Sequence, residues 1–229
     1  MNARIGFLTL ILAAAVALPV SAQQRGLTTE DALDVRSVSI SDITDDGRWV
    51  AASVSTRRGR TDTDHFRYGD PTYMAPRWGE LLVVDTRSGE ERSLSDGPIQ
   101  FRSPVWSPDG TRLAYYLREG DGYGLHVYDV SSGRSREVRL QTDKALSSGA
   151  PLVWSPNGDE LLVALRPIGW AAESRAAFLE ITEGPVVIQD SKNDFLAWDR
   201  LRNMADREVT ALVTVDGGAV EEILLETFI

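Results

Sequence analysis

The chain has 229 residues, with 24 Lys+Arg against 34 Asp+Glu and a formal net charge of −10. That acidity argues against nucleic acid and against an anionic membrane surface as partners. The absence of cysteine excludes a disulfide framework and a thiolate metal site, and 42% hydrophobic residues are too many for a disordered chain.

The N-terminus carries a three-part pattern. Met1-Asn2-Ala3-Arg4 is a short cationic start, Ile5 to Val20 is an apolar run, and Val20-Ser21-Ala22 fits the small-x-small cleavage pattern. Residues 1–22 read as a signal peptide cleaved after Ala22, so export to the periplasm or the medium is expected. Residues 23–229 then form the β-rich domain. Past residue 22 no apolar run approaches the ~18–20 residues that span a bilayer, and no membrane association is expected after cleavage.

A repeated unit follows. Ile40-Ser41-Asp42-Ile43-Thr44-Asp45-Asp46-Gly47-Arg48-Trp49-Val50-Ala51 is a weak first copy. Ser103 to Tyr115, with Trp106-Ser107-Pro108-Asp109-Gly110, is a strong one, and Ala150 to Val163, with Trp154-Ser155-Pro156-Asn157-Gly158, repeats it 48 residues on. Each copy reads as a strand end, a turn in which Gly takes φ > 0, and a strand of alternating apolar residues. A second element recurs as Leu81 to Gly89 and Leu125 to Gly133, a strand running into an Asp-initiated turn closed by Gly. The first unit has extra residues over about 57–77, which read as a long loop leaving one face of the array.

In the third unit, Phe178-Leu179-Glu180-Ile181-Thr182-Glu183-Gly184 stands in for the strand and Asp turn. Trp170–Ala177 has a helical composition but lies where the repeat places a loop. Strands at Val209–Val215 and Ala219–Glu226, flanking Asp216-Gly217-Gly218, indicate a fourth unit. Several strands per unit at this period is the pattern of a β-propeller blade. The fold expected is all-β: a propeller with about four blades present, incomplete, with Trp106 and Trp154 in equivalent inter-blade core positions.

The Trp-Ser-Pro-Asp-Gly-x-x-Leu-Ala-Tyr form at Trp106–Tyr115 resembles two families of exported proteins. One is the N-terminal propeller of the prolyl oligopeptidase family of serine peptidases, in particular its dipeptidyl peptidase and acylaminoacyl peptidase branches. The other is the propeller of TolB-like periplasmic proteins. The lead-in Leu27-Thr28-Thr29-Glu30-Asp31-Ala32-Leu33 and the first-blade insert with Arg67-Tyr68-Gly69-Asp70-Pro71-Thr72-Tyr73 look more like the peptidase family. That resemblance implies a substrate-gating propeller whose peptide substrate is cleaved by a C-terminal α/β-hydrolase domain absent from these residues. The TolB resemblance implies a protein-interaction module.

Catalytic residues are not expected within the chain. A nucleophile elbow needs Gly-x-Ser-x-Gly, and the nearest strings, Ser93 to Gly97, Gly133 to Glu137 and Ala145 to Gly149, each lack a glycine. The two histidines are His65 in the insert and His126 in a strand. His126 reads as a strand residue with a satisfied ring. The dipeptidyl peptidase resemblance implies a Glu pair that holds the substrate's ammonium; Glu90-Glu91 and Glu221-Glu222 are the pairs present, but neighbours on a strand point to opposite faces, so they read as solvated edges and the role is not carried over. Asp62-Thr63-Asp64 and Asp42, Asp45 and Asp46 lack a full calcium-ligand spacing and read as turns. No cofactor and no metal is expected.

Overall fold

The computed structural model describes residues 26–61, 78–120, 122–147, 149, 151–182 and 207–224. The leader, most of the 57–77 insert, and with it Asp62, Asp64 and His65, lie outside the described residues. The chain opens with α1 (Thr29–Leu33), whose start is fixed by a capping box: the Thr28 hydroxyl accepts from the Asp31 amide, and the Asp31 carboxylate accepts from the Thr28 amide.

Three antiparallel units follow. The first is β1 (Arg36–Ile43), β2 (Trp49–Thr56), the single turn α2 (Arg58–Thr61), β3 (Trp78–Asp85) and β4 (Glu91–Ser93). The second is β5 (Ile99–Trp106), β6 (Arg112–Glu119), β7 (Gly122–Asp129) and β8 (Arg134–Glu137). The third begins with an innermost strand in two pieces, β9 (Lys144–Ser147) and β10 (Val153–Trp154), which both pair with β11 (Glu160–Pro167). Helix α3 (Trp170–Thr182) intervenes before β12 (Val209–Thr214) and β13 (Val220–Leu224) complete that sheet. Each unit is thus a blade of four strand positions.

Two features of the sequence reading change here. Phe178 to Thr182, expected as a strand, belongs to α3, where Ala172, Glu173, Ala176 and Ala177 supply good helix formers. The strands expected at Val209–Val215 and Ala219–Glu226 to open a fourth unit are, over the described residues, β12 and β13 of the third, with Leu161 opposite Val213 and Val213 opposite Val220. The described residues therefore hold three blades where about four were expected. No further blade among them joins the third to the first, so the propeller is open, as expected of an incomplete one.

The turns that define the repeat are built alike. In all three the first hydroxyl, from Thr44, Ser107 or Ser155, donates to the side chain two residues on, Asp46, Asp109 or Asn157. The same oxygen accepts the amide that opens the next strand, from Trp49, Arg112 or Glu160. Gly47, Gly110 and Gly158 close the turn at φ of 66°, 67° and 75°, a region that other residues rarely enter. The second turn also recurs: the amides of Gly89, Gly133 and Gly218 donate to Asp85, Asp129 and Thr214. Thr214 thus holds the place of the turn-opening aspartates.

The core lies between blades. Trp49, Ala51, Leu81 and Val83 of the first blade pack on Trp106, Leu113, Tyr115 and Tyr128 of the second. The other face of the second, Ala114, Tyr116, Leu125 and Val127, packs on Trp154, Leu161, Val163, Leu165, Ala211 and Val213 of the third. Trp106 and Trp154 occupy equivalent, buried places at 6% and 7% exposure. Ile43 holds that place in the first blade and is 49% exposed, because no blade precedes it among the described residues.

Candidate functional face

The strand order gives the array two unlike rims. One carries the paired turns described above, all of fixed length. The other carries the connections from second to third strand: 57–77 in the first blade, Gly120 to Gly122 in the second, and 168–208 in the third. The charged side chains that close on one another near the ends of β2, β6 and β11 gather on this second rim.

Over the first blade, Arg58 Nε and Nη2 donate to the two carboxylate oxygens of Asp34 at 2.6 and 3.2 Å, and Arg36 pairs with Glu80 at 3.3 Å. Arg36, Arg58 and Glu80 border a cavity of about 580 Å³ lined also by Val54, Trp78 and Pro98. Trp78 supplies an aromatic wall, and Arg58 with the Arg36–Glu80 pair a polar one of both charges, so the cavity suits a ligand with an apolar body and a polar end. Over the second blade, Arg118 Nη1 donates to Gln100 Oε1 at 3.0 Å. His126 stacks on Tyr115 with centroids 5.6 Å apart, and its Nε2 lies 2.9 Å from Glu119 Oε1. The ring is satisfied within its own blade, as expected.

Over the third blade Arg166 and Ser147 are buried and Glu208 partly so. Arg166 pairs with Glu208 at 2.6 Å, Ser147 donates to the same carboxylate, and Trp170 lies over the guanidinium at 3.9 Å. Nearby, burial pushes the Tyr116 phenol well above its ordinary range, and the Glu208 charge adds to that push. The sequence reading did not single out this cluster. Its signal was there: an arginine ending the apolar run Leu161-Leu162-Val163-Ala164-Leu165 is an expensive residue to bury without a partner.

The remaining candidates fall elsewhere. Glu90 follows the Asp85–Gly89 turn and pairs with Arg92 at 2.9 Å, while Glu91 is exposed on β4. Glu221 and Glu222 lie on opposite faces of β13, since their partners Leu212 and Ala211 alternate. Asp42 Oδ2 accepts the Trp106 amide at 2.7 Å, tying the first two innermost strands together. Asp46 is a turn residue whose carboxyl is held below its ordinary range by the Thr44 hydroxyl and the Arg48 amide. Among the described residues no three acids or histidines gather to hold a metal ion. No helix among them is long and apolar enough to cross a membrane.

No protein-family model matches the chain. It is 33% identical over 86 residues to an uncharacterized peptidase, YuxL, of Bacillus subtilis, covering 37% of this chain and 12% of that protein. It is 38% identical over 59 residues to the Tol-Pal system protein TolB of Coxiella burnetii, covering 26% of this chain and 13% of TolB. Both resemblances read from the repeats are thus found among its relatives, and the matched segments are a small part of either. Among solved structures, acylaminoacyl peptidase of Pyrococcus horikoshii superposes with a TM-score of 0.47 at 13% identity, over 86% of this chain and 26% of that one.

Proposed function

We propose that this chain is the N-terminal, substrate-gating propeller part of an exported serine peptidase related to prolyl oligopeptidase. The observation that carries the reading is the 33% identity to a peptidase over 86 residues. It is supported by the rim that bears the long connections, where a propeller has room to meet a second domain and to screen what passes. Chemistry is assigned to a hydrolase domain outside these residues, and the peptide is its substrate. Residues 1–22 act as the leader that exports the protein.

A second reading has its own observation. Identity of 38% to TolB over 59 residues supports an interaction module of the periplasm. Expression of the whole reading frame that contains these residues, followed by labelling with a fluorophosphonate serine probe, separates the two. Labelling of one serine downstream of Ile229, within a Gly-x-Ser-x-Gly, is the result expected. An unlabelled protein that co-purifies with other envelope proteins would favour the second reading.

A further inference from the structure

The two seams between blades differ at one place. Trp49 and Arg112 each stand two residues past the turn glycine and opposite the start of the second turn, Trp49 opposite Asp85 and Arg112 opposite Asp129. In the first seam the Trp49 indole fills that place. It is buried, and the Arg48 and Arg92 guanidinium carbons lie 5.0 and 5.7 Å from its ring centroid. Both cations are paired, Arg48 with Asp85 at 3.5 Å and Arg92 with Glu90 at 2.9 Å. In the second seam Arg112 extends across to Gly158 O at 2.6 Å, and no ring takes the place of the indole. A cavity of about 680 Å³ opens there, with Arg112, Arg134, Arg136, Asp129 and Asp216 in its walls.

The register aligns the walls of the two seams. Arg136 stands opposite Val127 as Arg92 stands opposite Val83. Each sends Nη1 to a backbone carbonyl of the next blade, Val215 O at 3.1 Å and Val130 O at 3.3 Å. Two residues before each, the first blade has Glu90 and the second has Arg134. Where the first seam holds an indole and a carboxylate, the second holds a space and a guanidinium.

The acids around the cavity are already engaged. Asp109 accepts from Ser107 and Thr111 on both oxygens, Asp129 Oδ1 accepts from Ser131 and Ser132, and Asp216 pairs with Arg136. Arg134 stands opposite Asp129 in the ladder, yet its guanidinium has no side-chain partner among the described residues. Guanidinium groups only donate, so the cavity offers donors to whatever enters it.

We propose that this cavity binds an aromatic carboxylate, with the ring in the space that corresponds to the Trp49 indole and the carboxylate on Arg134. Arg136, held by Asp216 and Val215 O, lies against the ring as Arg92 lies against Trp49. The Arg134 fork takes both carboxylate oxygens. The site is on the rim of paired turns, away from the long connections, and does not depend on either functional reading above.

Calorimetric titration of the full chain tests the site. N-acetyltryptophan should bind with a Kd of about 1 mM or tighter. N-acetyltryptophanamide lacks the carboxylate and N-acetylleucine lacks the ring, and each should bind about tenfold more weakly or worse. R134E gives the second blade the acid of the first, at an exposed strand position, and should lose about tenfold in affinity with an unchanged thermal melt. R139E makes the same change of charge on a side chain outside the cavity and should lose nothing comparable. Absence of saturable binding by the wild type, equal affinity for the acid and its amide, or equal losses in R134E and R139E would each overturn the assignment.

Discussion

The Arg112 guanidinium carbon lies 5.1 Å from the centroid of the Trp154 ring, so one side chain of the second blade covers the main core aromatic of the third. The same guanidinium reaches the turn carbonyl of Gly158, four residues further on. Replacing Arg112 by Ala removes a charged hydrogen bond and a cation–π contact together, and should cost about 2–3 kcal/mol. Urea titration checks this, with R112M expected to recover the part due to the aliphatic stem.

Trp106 and Trp154 seal successive seams from matched positions, and Trp154 Nε1 also donates to Val105 O at 3.0 Å. Truncating either to Ala should lower unfolding free energy by about 3–5 kcal/mol. Substitution of Ile43, at the same repeat position but half exposed, should cost far less. Denaturant midpoints of the three variants give the comparison, and equal losses would contradict the seam assignment.

The turn aspartates predict acid sensitivity. Burial works to raise Asp109, but hydrogen bonds from Ser107 and Thr111 outweigh it, so its carboxyl sits below the ordinary 3.8. Asp46 is lowered as well, chiefly by Thr44. A folded-state value below the unfolded one contributes stability that is present above pH ~4 and is lost as pH falls through the folded value. The third blade already uses the uncharged Asn157 at this place. D46N/D109N should therefore fold at neutral pH and lose less stability than wild type between pH 4 and pH 2, as followed by circular dichroism.

Activity and export have their own measurements. With no Gly-x-Ser-x-Gly in the sequence, the 229-residue chain should turn over no dipeptidyl, acylaminoacyl or prolyl reporter peptide, because acyl transfer needs an activated nucleophile. Stoichiometric probe labelling of one serine, abolished by mutating it, would refute this. Mass spectrometry of the exported product should find an N-terminus at Gln23.

Much of the architecture was legible because turn chemistry repeats: Trp106-Ser107-Pro108-Asp109-Gly110 and its copies specify the same hydrogen bonds three times. The third blade was misjudged at its second half. A repeat period counts residues along the chain, whereas strand pairing depends on register and tolerates an inserted helix between β11 and β12 at little entropic cost. The Arg166, Glu208 and Ser147 cluster was hidden for the same reason, since its acid lies beyond that insertion. Arg36 and Arg58 gave no periodic signal, and only the fold brings them to Trp78.

The contrast between the two rims has an engineering consequence. On the rim of paired turns, one extra residue would break three hydrogen bonds that every blade uses to set its register. On the other rim, chain length already varies from a tight corner at Gly120 to some forty residues after β11. A foreign epitope or a fused domain is thus accommodated between Gly120 and Gly122, where the second blade has the shortest connection and its neighbours carry long ones. The same cargo placed at Gly110 would unseat the strand that begins at Arg112. The protein is therefore a one-sided display scaffold, with its grafting site fixed by topology.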